Sequence, residues 1–223
     1  MTTQQSSISI QTRTADHVAE RVDLWIPGVL LFFVGASFLI VTMLAASIAP
    51  GYDFGGGAIS DLGVIDETAG LFNGLLVAIG ALNLLGGYLL YRWHARVWIL
   101  AAFVVAGVGA AGAGLMPLDS GAPHSTFALL GFLFFNIEAL AVAAILSGPM
   151  RLLSLLAGAL GLVFVVLMVI GDSGNVAAFG PIGHGGTERM IVYPVMSWLM
   201  ALGGYLMAPG PQPIDRKSSS KAR

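Results

Sequence analysis

The sequence predicts an all-α integral membrane protein: a bundle of six transmembrane helices, built as three hairpins whose loops lie at the outer face. Three observations carry this expectation. Of the 223 residues 57% are hydrophobic and only 10% charged, against about 25% charged in a typical soluble domain. Six runs reach the length of about 20 mostly apolar residues that a membrane helix needs. The basic residues fall in alternate connections between those runs.

In chain order, residues 1–23 form a polar tail expected to be cytoplasmic. The first run, 24–48, is longer than the apolar core of a secretory signal, and the tail before it is not a short basic leader, so it reads as a retained first helix. The remaining spans are expected at about 69–91, 97–116, 124–147, 151–171 and 187–208, which makes 24–208 one membrane domain. Residues 209–223 (PGPQPIDRKSSSKAR from Pro209) read as a disordered basic cytoplasmic tail lying against anionic lipid. If all six runs span, Arg13, Arg21, Arg92, Arg96, Arg151, Arg216, Lys217, Lys221 and Arg223, nine of the ten basic residues, share one side. The positive-inside rule makes that side cytoplasmic and places both termini there, in the cell membrane. Trp25, Tyr91, Trp93, Trp98 and Tyr205 fall at the same boundary, where aromatic rings anchor well. Small residues recur along the spans, as in AGVGAAGAG of the third, and let helix backbones approach closely in lipid. Pro194 is expected to bend the sixth helix. With no cysteine, thiolate chemistry and disulfides are excluded. No phosphate-binding loop or basic stripe lies outside the tail, which argues against nucleic acid as a partner. Membrane lipids are the expected surroundings, and the oligomeric state is not legible.

Polar chemistry collects in the expected outer connections. Two of them repeat Asp-Ser-Gly, then Pro, then His: MPLDSGAPH at Met116–His124 and IGDSGNVAAFGPIGH at Ile170–His184. The first connection instead carries Ser60-Asp61-Leu62-Gly63, a hint of a threefold hairpin repeat with sites at the repeat interface. Asp119, His124, His184 and Glu188 are candidate ligands for a divalent metal such as zinc, since two imidazoles and two carboxylates leave room for a water. Such a water would suit ester or amide cleavage at the lipid surface. His184 and Glu188 share a helix face only if Gly185 and Gly186 do not delay the helix start. Ser60, Asp61 and Arg189 are candidate catalytic or substrate-orienting residues. Arg189, the one basic residue against the pattern, is most simply explained by pairing with an outer carboxylate. Asp and Ser also cap helices and make turns, which is the plainer reading of the same loops. Ser60, Ser120, Ser125 and Ser173 lack a nucleophile-elbow pattern, so spacing nominates no serine triad.

Glu138 lies mid-span, where an ionisable group costs about 2.5–3.5 kcal/mol on insertion scales and seeks a partner inside the bundle. It lies as far in from residue 124 as Asn83 does from residue 69, about 21 Å deep in both cases at the helical rise. Asn73 and Asn136 lie nearer the outside on the same helices. The four suggest either a polar track for a proton or ion, or a single structural hydrogen bond between helices.

The string PGYDFGGGAISDLGVIDETAGLFNGLL, followed by GLMPLDSGAPH, resembles the prokaryotic membrane family catalogued as domain of unknown function 998. Ile59-Ser60-Asp61-Leu62-Gly63, Leu71-Phe72-Asn73-Gly74 and Pro117-Leu118-Asp119 with His124 carry the resemblance most specifically. It implies a six-helix bundle and no established activity. A looser similarity to polytopic hydrolases of the alkaline ceramidase type departs at the HxxxH pair, where His184 is followed by Glu188. Three functions follow as expectations: a metal-assisted hydrolase at the lipid face, a transport or ion-conducting protein using the Glu138 track, or a structural bundle whose polar loops lock the helices.

Overall fold

A computed structural model describes the backbone of residues 2–208 and the side chains of 24–208; the basic tail expected at 209–223 lies outside the described residues. Six α-helices follow one another: α1 (Thr2–Ile48), α2 (Asp66–His94), α3 (Val97–Leu115), α4 (Ala122–Ala143), α5 (Gly148–Asp172) and α6 (Gly183–Met207). Each contains a stretch long and apolar enough to cross a membrane, that of α1 being Leu24–Ile48. No strand occurs among the described residues. Short 3₁₀ segments at Ile59–Gly63, Leu118–Ser120 and Val176–Ile182 occupy the α1–α2, α3–α4 and α5–α6 connections. These three connections define the acidic end of the bundle; Arg92, Arg96 and Arg151 mark the basic end.

Helix ends follow local chemistry. α2 stops where Ala95 takes a left-handed conformation (φ 55°), and the His94 ring nitrogen Nδ1 accepts the Arg96 N–H at 2.8 Å. α3 ends at Leu115, because Pro117 disfavours helical backbone at Met116, the residue before it. α4 ends at Ala143, short of the expected residue 147, since Gly148 (φ 61°) and Pro149 start a new helix. α6 begins at Gly183, earlier than expected, so Gly185 and Gly186 lie within it.

Each helix packs on its neighbours in sequence, and α6 closes the ring on α1. α4 and α6 also touch directly, so α5 covers their seam from outside. Trp198 Nε1 of α6 donates to Ser154 Oγ of α5 at 2.6 Å across that contact. Apolar packing in lipid has no hydrophobic drive of its own, so close backbone approach matters. α2 meets α3 where Gly80 and Gly107 face each other: a Cβ on Gly80 would lie 2.5 Å from the Gly107 carbonyl, and one on Gly107 2.8 Å from that of Gly80. α1 meets α6 through Gly28 and Gly203 in the same reciprocal way.

Candidate functional site

The loop between α1 and α2 is tied down at both ends of its 3₁₀ segment. α6 holds the front. The Glu188 carboxylate accepts the Ile59 N–H at 2.5 Å, and the Ser60 N–H turns to the same group. Arg189 donates to the Gly57 carbonyl at 3.0 Å and to the Tyr52 hydroxyl at 2.6 Å, with its guanidinium 4.3 Å above the Phe54 ring. Tyr52 in turn donates to the Ala58 carbonyl at 2.9 Å. Burial pushes the Tyr52 hydroxyl above the ordinary tyrosine pKa, and the neighbouring Arg189 offsets part of that rise. Gly185 completes the contact: its N–H donates to Gly56, and a side chain there would collide with the Gly57 carbonyl. α2 holds the back, through Thr68 Oγ1 to the Leu62 carbonyl and Asn73 Nδ2 to the Gly63 carbonyl, each at 2.8 Å.

Beneath this loop lies a cavity of about 620 Å³, counted out to its mouth. Its walls come from α1, α2, α3, α4, α6 and the 3₁₀ segment, and are mostly apolar: Phe38, Phe72, Ile79, Phe135, Val195 and Met196 among them. Four polar residues reach it: Ser60, His124, Asn136 and Glu188. His124, 4% exposed, stands in the first turn of α4 with Nδ1 2.7 Å from the Met116 carbonyl oxygen, one of the carbonyls left free at the end of α3. Its Nε2 is buried with no partner. Asn136 donates both amide hydrogens, to the Phe132 carbonyl at 2.7 Å and the Ile191 carbonyl at 3.1 Å, and its Oδ1 has none of its own.

The residues expected to bind metal do not gather. Asp119 is exposed in its turn. His184 pairs instead with Asp172 (Nε2 to Oδ1, 3.3 Å) at the surface, against the Phe179 ring. Glu188 faces the loop backbone, and His124 faces Met116. Among the described residues no three His, Asp or Glu side chains are placed to hold a metal ion. Starting α6 at Gly183 does put His184 and Glu188 a turn apart, but the loop occupies Glu188 while His184 turns back to α5. The two Asp-Ser-Gly motifs thus do different work: Asp172 meets its histidine, whereas His124 bonds to backbone.

The expected catalytic trio separates in the same way. Asp61 caps its own segment, accepting the Ala58 N–H at 2.9 Å. Arg189 contacts a carbonyl, a phenol and a ring, and no carboxylate lies within ion-pair distance of it among the described residues; the anticipated outer ion pair is replaced by a loop clamp. Ser60 faces the cavity, and its hydroxyl makes no hydrogen bond among the described residues. The four intramembrane polar residues form three unconnected sets. Asn73 serves the loop and Asn136 joins α4 to α6. Asn83 Nδ2 donates to Glu138 Oε2 at 3.0 Å and to the Phe103 carbonyl at 3.2 Å. Neither Glu138 nor Asn83 borders the cavity. Sequence reasoning missed Tyr52 and Thr68, both of which bind loop carbonyls; a tyrosine beside the Gly55-Gly56-Gly57 run was the available signal.

Residues 32–205, covering α2 to α5, nearly all of α6 and the part of α1 from Phe32 onward, match the family described as protein of unknown function (DUF998). The chain belongs to that family. Neither the curated proteins nor the solved structures give a match. The DUF998 match spans every residue that borders the cavity and the whole loop clamp, so both lie inside the region that defines membership.

Proposed function

We propose that this DUF998 protein is a multi-pass protein of the cell membrane, both termini cytoplasmic, whose cavity binds an amphiphile drawn from the surrounding lipid. The charge asymmetry supports the orientation, which sets the acidic end and the cavity on the outer side. One observation carries the binding reading: His124, a wall residue of this mostly apolar cavity, has one ring nitrogen bonded to the Met116 carbonyl while the other is buried without a partner. An unpaired buried polar atom costs about 1–3 kcal/mol, and a ligand with a matching polar head would relieve that cost. Concave, mostly apolar spaces with a few polar groups in their walls are the usual form of small-molecule sites. The test is photo-crosslinking of the full chain in lipid nanodiscs with a diazirine-bearing long-chain lipid. Labelled peptides are expected at the α3, α4 and α6 walls, and Ala113→Phe, which fills the cavity, should abolish them. Labelling confined to the lipid-facing surface and indifferent to Ala113→Phe would sink the reading.

A second reading, ester cleavage in the same cavity, is favoured by the free Ser60 hydroxyl and the free His124 Nε2 lining one space. These residue types serve as nucleophile and general base. A fluorophosphonate should then label Ser60 in the wild type and not in His124→Asn. An unlabelled Ser60 removes the catalytic reading and leaves the binding one intact. The metal-assisted form gains no support, because its four candidate ligands stand apart.

A further inference from the structure

Resting on the cavity reading above, we propose that the ligand is a long-chain molecule with an uncharged hydroxyl head, and that the cavity discriminates against anionic lipids. The inference comes from which polar atoms remain unused. A carbonyl oxygen only accepts, so His124 Nδ1, 2.7 Å from Met116 O, carries the hydrogen. Its Nε2 in the neutral ring is then a bare lone pair, buried and unpartnered. Asn136 has spent both donors on Phe132 and Ile191, and its Oδ1 is pressed against Gly161 of α5, a helix outside the cavity wall, so it offers a ligand nothing and His124 Nε2 is the acceptor left. Glu188 adds a carboxylate to the same wall.

No lysine or arginine lines the cavity. The neighbouring Arg189 is committed to Gly57, Tyr52 and the Phe54 ring. A phosphate, sulfate or carboxylate head would therefore meet acceptors with no cation to offset its desolvation. An ammonium head would have to rely on Glu188, whose oxygens already take the Ile59 and Ser60 N–H groups. A neutral hydroxyl needs neither: it donates to a waiting acceptor and can accept from Ser60. The apolar walls take the chain.

The experiment uses the full chain in phosphatidylcholine nanodiscs, labelled at the cavity by a photoreactive hexadecanol, with unlabelled oleyl alcohol or oleyl phosphate as competitor. Oleyl alcohol should compete, and oleyl phosphate should need at least about 10-fold more, the factor that 1.4 kcal/mol supplies. His124→Asn keeps an amide hydrogen for Met116 O and removes the Nε2 acceptor, so it should fold and lose about 5-fold or more in labelling. Equal competition by the phosphate would overturn the head-group assignment while leaving the cavity as a lipid site. So would wild-type labelling of a folded His124→Asn. If the alcohol labels no cavity residue but a diazirine phospholipid does, the head-group assignment again fails alone. If neither labels the cavity, the binding reading itself fails. The competition in the wild-type chain decides the matter even where the variant proves unstable.

Discussion

Two buried glutamates face opposite problems in this bundle. Glu188 sits near the acidic end of α6, touches the cavity, and is satisfied by backbone N–H groups of a loop 129 residues away in sequence. Glu138 sits deeper, fully buried, away from the cavity, and its one hydrogen bond comes from a side chain, Asn83. The difference shows that a buried carboxylate can either organise a loop or join two helices. Only the first kind here borders a space that a ligand could enter.

The largest effect should come from taking away the carboxylate that the loop depends on. Glu188→Leu leaves the Ile59 and Ser60 N–H groups without their acceptor and is expected to cost about 2–6 kcal/mol, since each orphaned buried donor forfeits about 1–3. Glu188→Gln retains an acceptor oxygen and should stay within about 1 kcal/mol of the wild type. Thermal unfolding in detergent, with limited proteolysis of residues 49–65, measures both. Similar losses for the two variants would mean that Glu188 acts through its charge and not as an acceptor, and the contrast with Glu138 would lose its basis.

That contrast also marks what was readable in advance. The six helices were legible because bilayer thickness sets a length and apolarity that composition exposes directly. Asn83 could be matched to Glu138 because both lie on continuous helices, where residue number converts to depth. No such ruler exists for loops. Glu188 is partnered by backbone donors, which every residue carries and no sequence pattern marks. Arg189 was anomalous on the basic count, yet its partners are a carbonyl, a phenol and a ring, so seeking an acidic mate for it misled. The four candidate metal ligands stand apart for a related reason. His124 and His184 sit in similar strings, but Met116, left with a free carbonyl at the end of α3, captures one ring, and Asp172 captures the other.

A smaller effect is expected at the deeper carboxylate. A double-mutant cycle of Glu138→Leu and Asn83→Leu should give a coupling energy of about 0.6 kcal/mol and no more than about 1.7, the average and the maximum for hydrogen bonds between membrane helices. Glu138→Gln, which still accepts from Asn83, should keep the fold and leave proton flux in reconstituted vesicles unchanged, because the pair borders no cavity. Abolished flux in a folded Glu138→Gln protein would instead restore the conducting role suggested by mid-membrane placement, and the deeper site would become the functional one.

The smallest expected effect tests how the clamp around Glu188 is closed at the surface. The Tyr52 hydroxyl accepts from Arg189 and donates to Ala58, and burial raises its pKa above the ordinary value near 10. A raised folded-state pKa means that folding favours the protonated phenol, so its contribution is fully present below the unfolded pKa and declines as pH climbs through the folded one. Between pH 7 and 9 the difference in melting temperature between wild type and Tyr52→Phe should therefore hold constant, and above pH 10 it should shrink. Arg189 pulls the other way by stabilising a phenolate. A difference that instead grows above pH 10 would show the guanidinium outweighing burial, making the Arg189–Tyr52 contact an ion pair in waiting and the loop clamp electrostatic at both of its α6 residues.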